Sequence, residues 1–370
     1  MKTWASIAVV ATACVMSCCR ENKQTTVDQP KPGPTRLVLY SWDDYFAPEV
    51  LEDFRKATGI TVEYQTFGEA EEVEARLRSE PGVVDVVVVD SFNLNKLSQL
   101  RLLKPIEKDS LPNLKHMSAR FLDLDCDRGN RFSVPYTWGT TLIAYRKDKL
   151  PQPEPSWKLL WNESYAGKVM MLDDTFEPMA AFLIKEGRSP RTDSEVDYAA
   201  AADALVKHVG SMHPRYGNDD AVKAALVAGE VWAAMCYSGD AAFAAAENDQ
   251  IDFFVPAEGA TLWVDCLAVP QECADSAAAH RFLNYMMDPA VAAKNANGIR
   301  YATANEAAEP LLDPALRNDP RLYPSPEVLS RCTFVPKLDA GRDALVKRYW
   351  HQVKLAIARA DGVTPASEAP

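Results

Sequence analysis

Aromatic and acidic side chains occur together at the ends of apolar runs along this 370-residue chain. The first such site comprises Trp42, Asp43, Asp44 and Tyr45, which follow the apolar run at residues 37–40. An aromatic face attracts an organic cation through the ring quadrupole, and a carboxylate attracts it through charge. These residue types therefore indicate a site that binds an amine.

Four later segments have the same character. Each is an apolar run that ends on carboxylates, an aromatic ring or both: Asp90, Ser91 and Phe92; Asp174 and Glu177; Tyr237 and Asp240; Trp263 and Asp265. A single acid after a strand usually caps the next helix or lies in a turn. The recurrence of aromatic plus acid instead favours one shared site at the carboxyl ends of strands, where open α/β sheets bind ligands.

Paired carboxylates such as Asp174 with Glu177, or Asp240 with Asp265, could also serve as the general acid and base of a hydrolase. However, the chain has no G-x-S-x-G, H-E-x-x-H, P-loop or G-x-G-x-x-G motif, and its five His lack metal-ligand spacing. An alkyl diammonium needs only carboxylates at its ends and aromatic walls along its methylenes. We therefore expect a binding protein rather than an enzyme, with no cofactor and no metal.

Strands and helices alternate along the chain and must position these side chains. Apolar runs predict strands at residues 37–40, 61–64, 83–89 and 169–172. Helical periodicity predicts helices at residues 48–58, before Gly59, and at 69–77, 198–209 and 219–228. The Val run at 83–89 is typical of a parallel strand buried on both faces. The aromatic segment at 132–145 indicates a crossing between two lobes.

The composition indicates a globular protein large enough for two lobes, with 47% hydrophobic and 25% charged residues. A net charge of −12 argues against nucleic acid as a partner and favours cationic ligands. An exported protein could oxidise a pair of its body cysteines, and their odd number leaves at least one thiol free. The five cysteines concerned are Cys126, Cys236, Cys266, Cys273 and Cys332.

The N-terminal residues indicate export. Lys2 precedes a short apolar stretch at residues 5–16, and Val15-Met16-Ser17-Cys18 fits a bacterial lipobox with Cys18 as the lipidated residue. An ordinary cleaved signal is the alternative. We assign residues 1–17 to a signal peptide, 18–35 to a flexible tether and 361–370 to a disordered tail. The lipid anchor would hold the protein in the periplasm or at the outer face of the cytoplasmic membrane.

From Leu37 to about Lys354, the chain resembles the spermidine/putrescine-binding proteins of bacterial polyamine ABC importers. The motifs that carry the resemblance are Ser41 to Tyr45, Asp85 to Val88, Pro135 to Thr140, Asp173 to Glu177, Tyr237 to Asp240, Trp263 to Asp265 and Tyr301 to Asn305. It implies an α/β type II periplasmic-binding fold, with a ligand cleft between two lobes joined by crossing strands. We expect lobes at 36–141 plus 266–314 and at 142–265 plus 315–360. The resemblance further implies a monomeric lipoprotein that delivers putrescine or spermidine to an ABC permease and its ATPase.

The resemblance also implies roles for individual residues. Aromatic rings would wall the ligand slot, namely Trp42, Tyr45, Tyr237, Trp263 and Tyr301. Carboxylates would receive the amines, namely Asp44, Asp174, Glu177, Asp240 and Asp265. Three positions depart from the family pattern, because Asp90 replaces a Ser, Phe92 replaces a Tyr and Lys337 replaces a Gln.

Lys337 leaves two hypotheses about the ligand. The site could hold a short diamine with Lys337 capping its far side, or a zwitterion such as an amino acid whose carboxylate meets Lys337. We prefer the diamine because the acids outnumber this single lysine. An amine-processing lipoprotein enzyme is a third and weaker hypothesis.

Overall fold

The computed structural model describes residues 36–337 and 339–362. The predicted signal peptide, the tether with Cys18, and residues 363–370 of the predicted tail lie outside the described residues. The strands are β1 (Arg36–Ser41), β2 (Thr61–Thr66), β3 (Val86–Asp90), β4 (Ser133–Arg146), β5 (Val169–Leu172), β6 (Arg215–Gly217), β7 (Ala233–Tyr237), β8 (Ile251–Phe254), β9 (Thr261–Ala268), β10 (Ala302–Thr303) and β11 (Thr333–Phe334).

The α-helices are α1 (Pro48–Thr58), α2 (Ala70–Ser79), α3 (Ser91–Gln99), α4 (Glu177–Lys185), α5 (Glu195–Met212), α6 (Asp219–Val227), α7 (Ser238–Glu247), α8 (Ser276–Met286), α9 (Pro289–Ile299), α10 (Pro314–Arg317), α11 (Pro326–Leu329) and α12 (Ala340–Ala360). Short 3₁₀ helices occur at Lys108–Ser110, Pro112–His116, Trp157–Trp161, Glu163–Tyr165 and Glu306–Leu311. Among the described residues, no helix combines the length and apolar character needed to span a membrane.

Local sequence signals explain where the first helices begin and end. Pro48 opens α1, and Gly59 closes it in the left-handed conformation with a φ of 77°, as the sequence predicted. Glu69 and Glu72 form a reciprocal capping box at the start of α2. Both helices therefore follow directly from cap chemistry.

The strands form one hydrogen-bonded sheet in the order β2-β1-β3-β9-β4-β7-β5-β6, with β8 and β10 paired to β4 and β11 paired to β9. The Val run forms β3, which is parallel to β1 as predicted but antiparallel to β9 on its other side. β5 is parallel to both β6 and β7. The sheet is thus mixed: parallel units lie at both ends, and antiparallel β4 and β9 lie in the middle.

Two hydrophobic cores pack against this sheet, and together they give the two predicted α/β lobes. Phe54, buried completely, belongs to the first core, and Tyr198, also buried completely, belongs to the second. Along β4 the packing changes from the first core at Trp138 to the second at Leu142. Val264 packs in the first core, although the sequence placed residues 142–265 in the second lobe. The other lobe boundaries stay a proposal.

β4 is the crossing element expected at residues 132–145. Its first half pairs with β9, and its second half pairs with β7 and β8. The register with β9 shifts between Pro135 and Thr137, where Pro135 has no N–H to donate to the ladder. Tyr136 lies at this bulge, and its hydroxyl donates a 2.6 Å hydrogen bond to the carbonyl oxygen of Tyr45. One strand therefore links both cores and supports the start of α1.

The thiols of the body cysteines are free in this structure. Cys126, Cys236, Cys266 and Cys273 are buried, whereas Cys332 is partly exposed. None of these five described cysteines is part of a disulfide bond.

Candidate ligand-binding site

A cavity of about 540 Å³ is lined by residues from both cores. This volume lies within the ordinary range of small-molecule sites. Many predicted site residues line it, namely Trp42, Tyr45, Asp90, Ser91, Phe92, Asp174, Glu177, Tyr237, Trp263, Asp265 and Tyr301. The structure therefore brings together residues from every strand end that the sequence singled out.

Asp43 and Asp44 do not line the cavity. Both are exposed, and Asp43 Oδ1 accepts a 3.0 Å hydrogen bond from the backbone N–H of Asp44. The two residues form the turn after β1, where Asp44 has a φ of 53°. Only Trp42 and Tyr45, on either side of the turn, reach the cavity. The structure thus does not place Asp44 where the resemblance would have it receive an amine.

Lys337 is also exposed and lies outside the cavity lining. It precedes α12, and its carbonyl oxygen accepts a 2.6 Å hydrogen bond from Arg342 Nη1. The pKa of Asp125 is lowered mainly by Arg191, with a smaller contribution from Lys337. Neither sequence-based hypothesis for Lys337 therefore gains support from its position.

Asp90 and Asp265 are direct cross-strand neighbours on β3 and β9. Opposed residues on antiparallel strands have Cβ atoms about 4.5–5.5 Å apart, and like charges in such pairs are destabilising. Tyr45 Oη donates a 2.7 Å hydrogen bond to Asp265 Oδ2. Burial and then the charge of Asp90 raise the pKa of Asp265 to about 7. A bound cation or a shared proton would therefore relieve the repulsion within this pair.

Asp90 also caps α3, because its carboxylate accepts hydrogen bonds from the backbone N–H and the side-chain amide of Asn93 at 2.8 and 3.0 Å. Burial raises the pKa of Asp90 despite these bonds. Asp90 therefore caps a helix and also lines the cavity, and its role in ligand binding stays a prediction.

Asp174 and Glu177 form a second acidic pair at the start of α4. Asp174 Oδ1 accepts hydrogen bonds from the backbone N–H groups of Phe176 and Glu177 at 2.7 and 2.6 Å. Glu177 is only 5% exposed, and its Oε2 accepts a 2.7 Å hydrogen bond from Thr261 Oγ1. Burial and the charge of Asp174 raise the pKa of Glu177 to about 8. Near neutral pH this pair also holds protons more tightly than free carboxylates do.

We call Asp90, Asp174, Glu177 and Asp265 the interior acids. Within residues 36–337 and 339–362, no Lys or Arg forms a salt bridge with any of them. Burial of a carboxylate without a partner disfavours its charged form. The cavity therefore offers negative charge that the described part of the protein leaves uncompensated.

Four rings form a chain of two edge-to-face contacts and one tilted contact, which we call the aromatic wall. Tyr237 and Trp263 have centroids 5.7 Å apart, Trp263 and Tyr301 5.6 Å, and Tyr301 and Tyr45 5.3 Å. Such rings can cover methylene groups and attract ammonium groups through their faces. The wall lies on the same cavity as the interior acids.

Two glycines make room for this wall, and the sequence reading missed both. A Cβ atom at Gly139 would lie 2.4 Å from the ring of Trp263, and one at Gly239 would lie 2.4 Å from the ring of Tyr301. No side chain fits at either position without moving a ring. For Gly239, its place in the Tyr237 to Asp240 motif was the sequence feature that could have indicated this role.

Asp240 is buried behind Tyr301 rather than lining the cavity. Tyr301 Oη donates a 2.7 Å hydrogen bond to Asp240 Oδ2, and Lys223 Nζ lies 3.8 Å from Asp240 Oδ1. Burial, then the charge of Asp219, raise the pKa of Asp240 to about 7. Asp219 itself lines the cavity and was not predicted. It follows β6, a strand of 3 residues that is too short for a periodicity signal.

The remaining charged lining includes acids that have lysine partners. Lys354 Nζ lies 2.5 Å from Asp173 Oδ2, and Lys347 Nζ lies 3.0 Å from Asp343 Oδ1. We call these the rim pairs, because their side chains are 24–47% exposed. Three of these four residues lie on α12, whose sequence carries no aromatic-plus-acid signal. Among the described residues, no cluster of His, Cys, Asp and Glu is arranged to hold a metal ion.

Comparison with known proteins identifies the family. Residues 49–324 match the family described as "Bacterial extracellular solute-binding protein". The chain is 31% identical over 320 residues to the spermidine/putrescine-binding periplasmic protein of Escherichia coli (strain K12), which covers 86% of this chain and 91% of that protein. It is also 31% identical over 341 residues to the putrescine-binding periplasmic protein SpuD of Pseudomonas aeruginosa, with 86% of this chain and 91% of that protein covered.

A solved structure gives the same result for the fold. The spermidine/putrescine ABC transporter substrate-binding protein PotD from Streptococcus pneumoniae matches with a TM-score of 0.78 at 27% identity. The match covers 87% of this chain and 99% of that chain. The fold and the family resemblance expected from the sequence are thereby confirmed. The chain belongs to the bacterial extracellular solute-binding protein family.

Proposed function

We propose that this protein is the substrate-binding component of an ABC importer, and that it captures a polyamine outside the cytoplasmic membrane. The observation that carries the proposal is the cavity itself, where the interior acids meet the aromatic wall without a salt-bridged Lys or Arg among the described residues. Relatives that cover most of this chain are named for binding spermidine and putrescine. Both the site chemistry and the relatives therefore favour an alkyl amine with more than one positive charge.

The interior acids and the aromatic wall would divide the work of binding. An ammonium group between Asp90 and Asp265 would relieve the repulsion of that cross-strand pair, and a second ammonium would do the same for Asp174 and Glu177. Charge-assisted hydrogen bonds contribute about 1.5–3 kcal/mol each and cation–π contacts about 0.5–2 kcal/mol. After the cost of association, these contacts are enough for micromolar binding, about −8 kcal/mol.

Closure of the lobes over the ligand would be a population shift that the bound amine drives, because both cores contribute lining residues. The permease and the ATPase would be separate chains. Lipidation at Cys18, action as a monomer and a location in the periplasm or at the outer face of the cytoplasmic membrane complete the proposal.

A zwitterionic ligand was the main alternative from the sequence. It depended on Lys337, and that residue is exposed outside the cavity lining. The cavity acids instead outnumber the cations beside them. We therefore propose a polyamine rather than an amino acid.

Isothermal titration with putrescine, spermidine, spermine and a panel of amino acids tests the proposal. The purified protein is first unfolded and refolded so that ligand carried over from the cells is removed. We expect micromolar or tighter binding to at least one polyamine and no heat from the amino acids. Heat from an amino acid, with none from any polyamine, would reject a polyamine as the substrate.

A further inference from the structure

A third acidic group adjoins the cavity, and it differs from the interior acids because a lysine accompanies it. Asp219 lines the cavity, and Asp240 is linked to it through the hydroxyl of Tyr301, which also lines the cavity. Lys223 Nζ lies 3.8 Å from Asp240 Oδ1. The group therefore already contains one ammonium, which the protein itself supplies.

Lys223 is held in place from several sides. Its Nζ lies 3.0 Å from Asp220 Oδ1 and 5.7 Å from the centroid of the Phe243 ring. Its side chain is only 22% exposed. A lysine with two carboxylate partners and an aromatic neighbour keeps its charge and its position.

Apart from the rim pairs and the exposed Glu69 and Glu71, the acids in and behind the cavity lining form three groups. Asp90 with Asp265, and Asp174 with Glu177, have no salt-bridged cation among the described residues. Asp219 with Asp240 has Lys223. Two positions are left for ammonium groups of a ligand.

We propose that Lys223, which lies beside Asp240 behind the cavity lining, acts as a built-in ammonium for the third acidic group, and that it thereby restricts the substrate to a polyamine with two ammonium groups. This inference rests on the proposed function and narrows its substrate class. A third ammonium of a longer polyamine would approach Asp219 and Tyr301 and meet the positive charge of Lys223 nearby. Like charges at short range in a partly buried site repel strongly.

The unmodified protein provides the first test. Isothermal titration with putrescine and spermidine should show putrescine binding at least about tenfold tighter. Repulsion between Lys223 and the third ammonium of spermidine is expected to weaken spermidine binding by at least this factor. Spermidine binding as tightly as putrescine, or tighter, would overturn the inference while leaving the proposed function in place. Failure to bind any polyamine would overturn both.

The second test removes the lysine. In Lys223→Met, the ratio of the spermidine Kd to the putrescine Kd should fall at least about tenfold, because a third ammonium that approaches Asp219 in the cavity lining would no longer meet a fixed positive charge behind it. Lys223→Arg keeps the charge and should keep the ratio of the unmodified protein. Lys207→Met is the matched control, since Lys207 is exposed on α5, and it should also keep that ratio.

An unchanged ratio in Lys223→Met, in protein that still binds putrescine, would overturn the role of Lys223 but not the proposed function. If Lys223→Met does not fold, the titration of the unmodified protein can still overturn the inference, because spermidine binding as tightly as putrescine contradicts it without any variant.

Discussion

The interior acids and the rim pairs are chemically alike but are neutralised in different ways. Asp265 and Glu177 are 4% and 5% exposed and have no salt-bridged Lys or Arg among the described residues. The acid side chains of the rim pairs, Asp173 and Asp343, are 31% and 24% exposed, and each has a lysine within 3.0 Å. In these two sets, the protein itself compensates the more exposed acids and leaves the interior ones to protons or to a ligand.

This contrast explains why the pKa values rise inside the cavity. Water no longer stabilises a buried carboxylate, so its charged form becomes less favourable. The pKa of Asp265 reaches about 7 and that of Glu177 about 8. A dication in the cavity would replace the protons with its own charge.

Removal of one interior acid should have the largest effect. Asp265→Asn keeps the size and the hydrogen-bond acceptor of the side chain but removes its charge, and truncation of a buried charge pair costs about 2–5 kcal/mol. We expect the Kd for the preferred polyamine, measured by isothermal titration, to rise at least about hundredfold.

Asp343→Asn, at the rim, is the matched control for this variant. It removes the same charge from a half-exposed pair, so the Kd should change less than about threefold. Equal losses in the two variants would mean that the distinction between interior and rim has no bearing on binding.

A change of pH should have the second-largest effect. Between pH 6 and pH 8.5 the raised pKa values of Asp265 and Glu177 are crossed, while the ligand amines stay protonated. Because ammonium groups bind the charged carboxylates, the affinity should rise at least about tenfold over this range. Titrations in buffers of different ionisation enthalpy should detect protons released on binding. Affinity that is flat with pH and free of proton release would contradict the assignment.

The same carboxylates determine how the free energy of unfolding of the ligand-free protein changes with pH. Their pKa values are higher in the folded than in the unfolded chain, so the folded state binds more protons between about pH 4 and pH 8. The free energy of unfolding should therefore fall as the pH rises through this window. Denaturant titrations with and without polyamine check this, since bound ligand should remove most of the decline.

A smaller effect is expected at the aromatic wall, where a glycine that contacts a ring can be compared with a glycine that has free space around it. Gly239→Ala should destabilise the protein by about 1–3 kcal/mol and weaken ligand binding, because the new Cβ would meet the Tyr301 ring. Gly210→Ala is the control, since a Cβ at Gly210 has nothing within 4 Å and alanine favours helix. Urea titrations measure both variants, and equal stabilities would show that the wall adapts freely.

The smallest effect should come from the rim. Lys354→Met breaks its exposed pair with Asp173. Exposed pairs contribute roughly 0–1 kcal/mol, so the Kd should change less than about threefold. A loss approaching that of Asp265→Asn would show instead that Lys354 takes part in ligand binding.

Much of the fold could be predicted because its signals are local. Pro48 and Gly59 mark the ends of α1, and the Val run marks β3. Most of the site followed from one rule, that acids and aromatics at the carboxyl ends of strands share an edge of the sheet. Asp265 follows the rule less closely, since it lies within β9 and reaches the site through its antiparallel pairing with β3.

What the sequence did not reveal depends on packing across the chain. A turn such as that of Asp43 and Asp44 does not disclose which of its side chains face a cavity. Asp219 follows a strand too short to recognise, and the need for Gly139 appears only once the ring of Trp263 is in place. Lys337 was assigned a ligand contact from the family resemblance alone, and its exposed position before α12 depends on the tertiary fold. These contacts are tertiary, and residue type alone does not encode them.

The course of β4 through both cores bears on how fast ligand enters and leaves the cavity. A strand hydrogen-bonded on both sides resists being stretched or slid, so relative movement of the lobes would be a rotation about the region near its bulge at Pro135. Displacements would then be small beside β4 and large at α12. We expect residues next to the strand to set the equilibrium affinity, and residues such as Lys347 to set how fast the ligand enters and leaves.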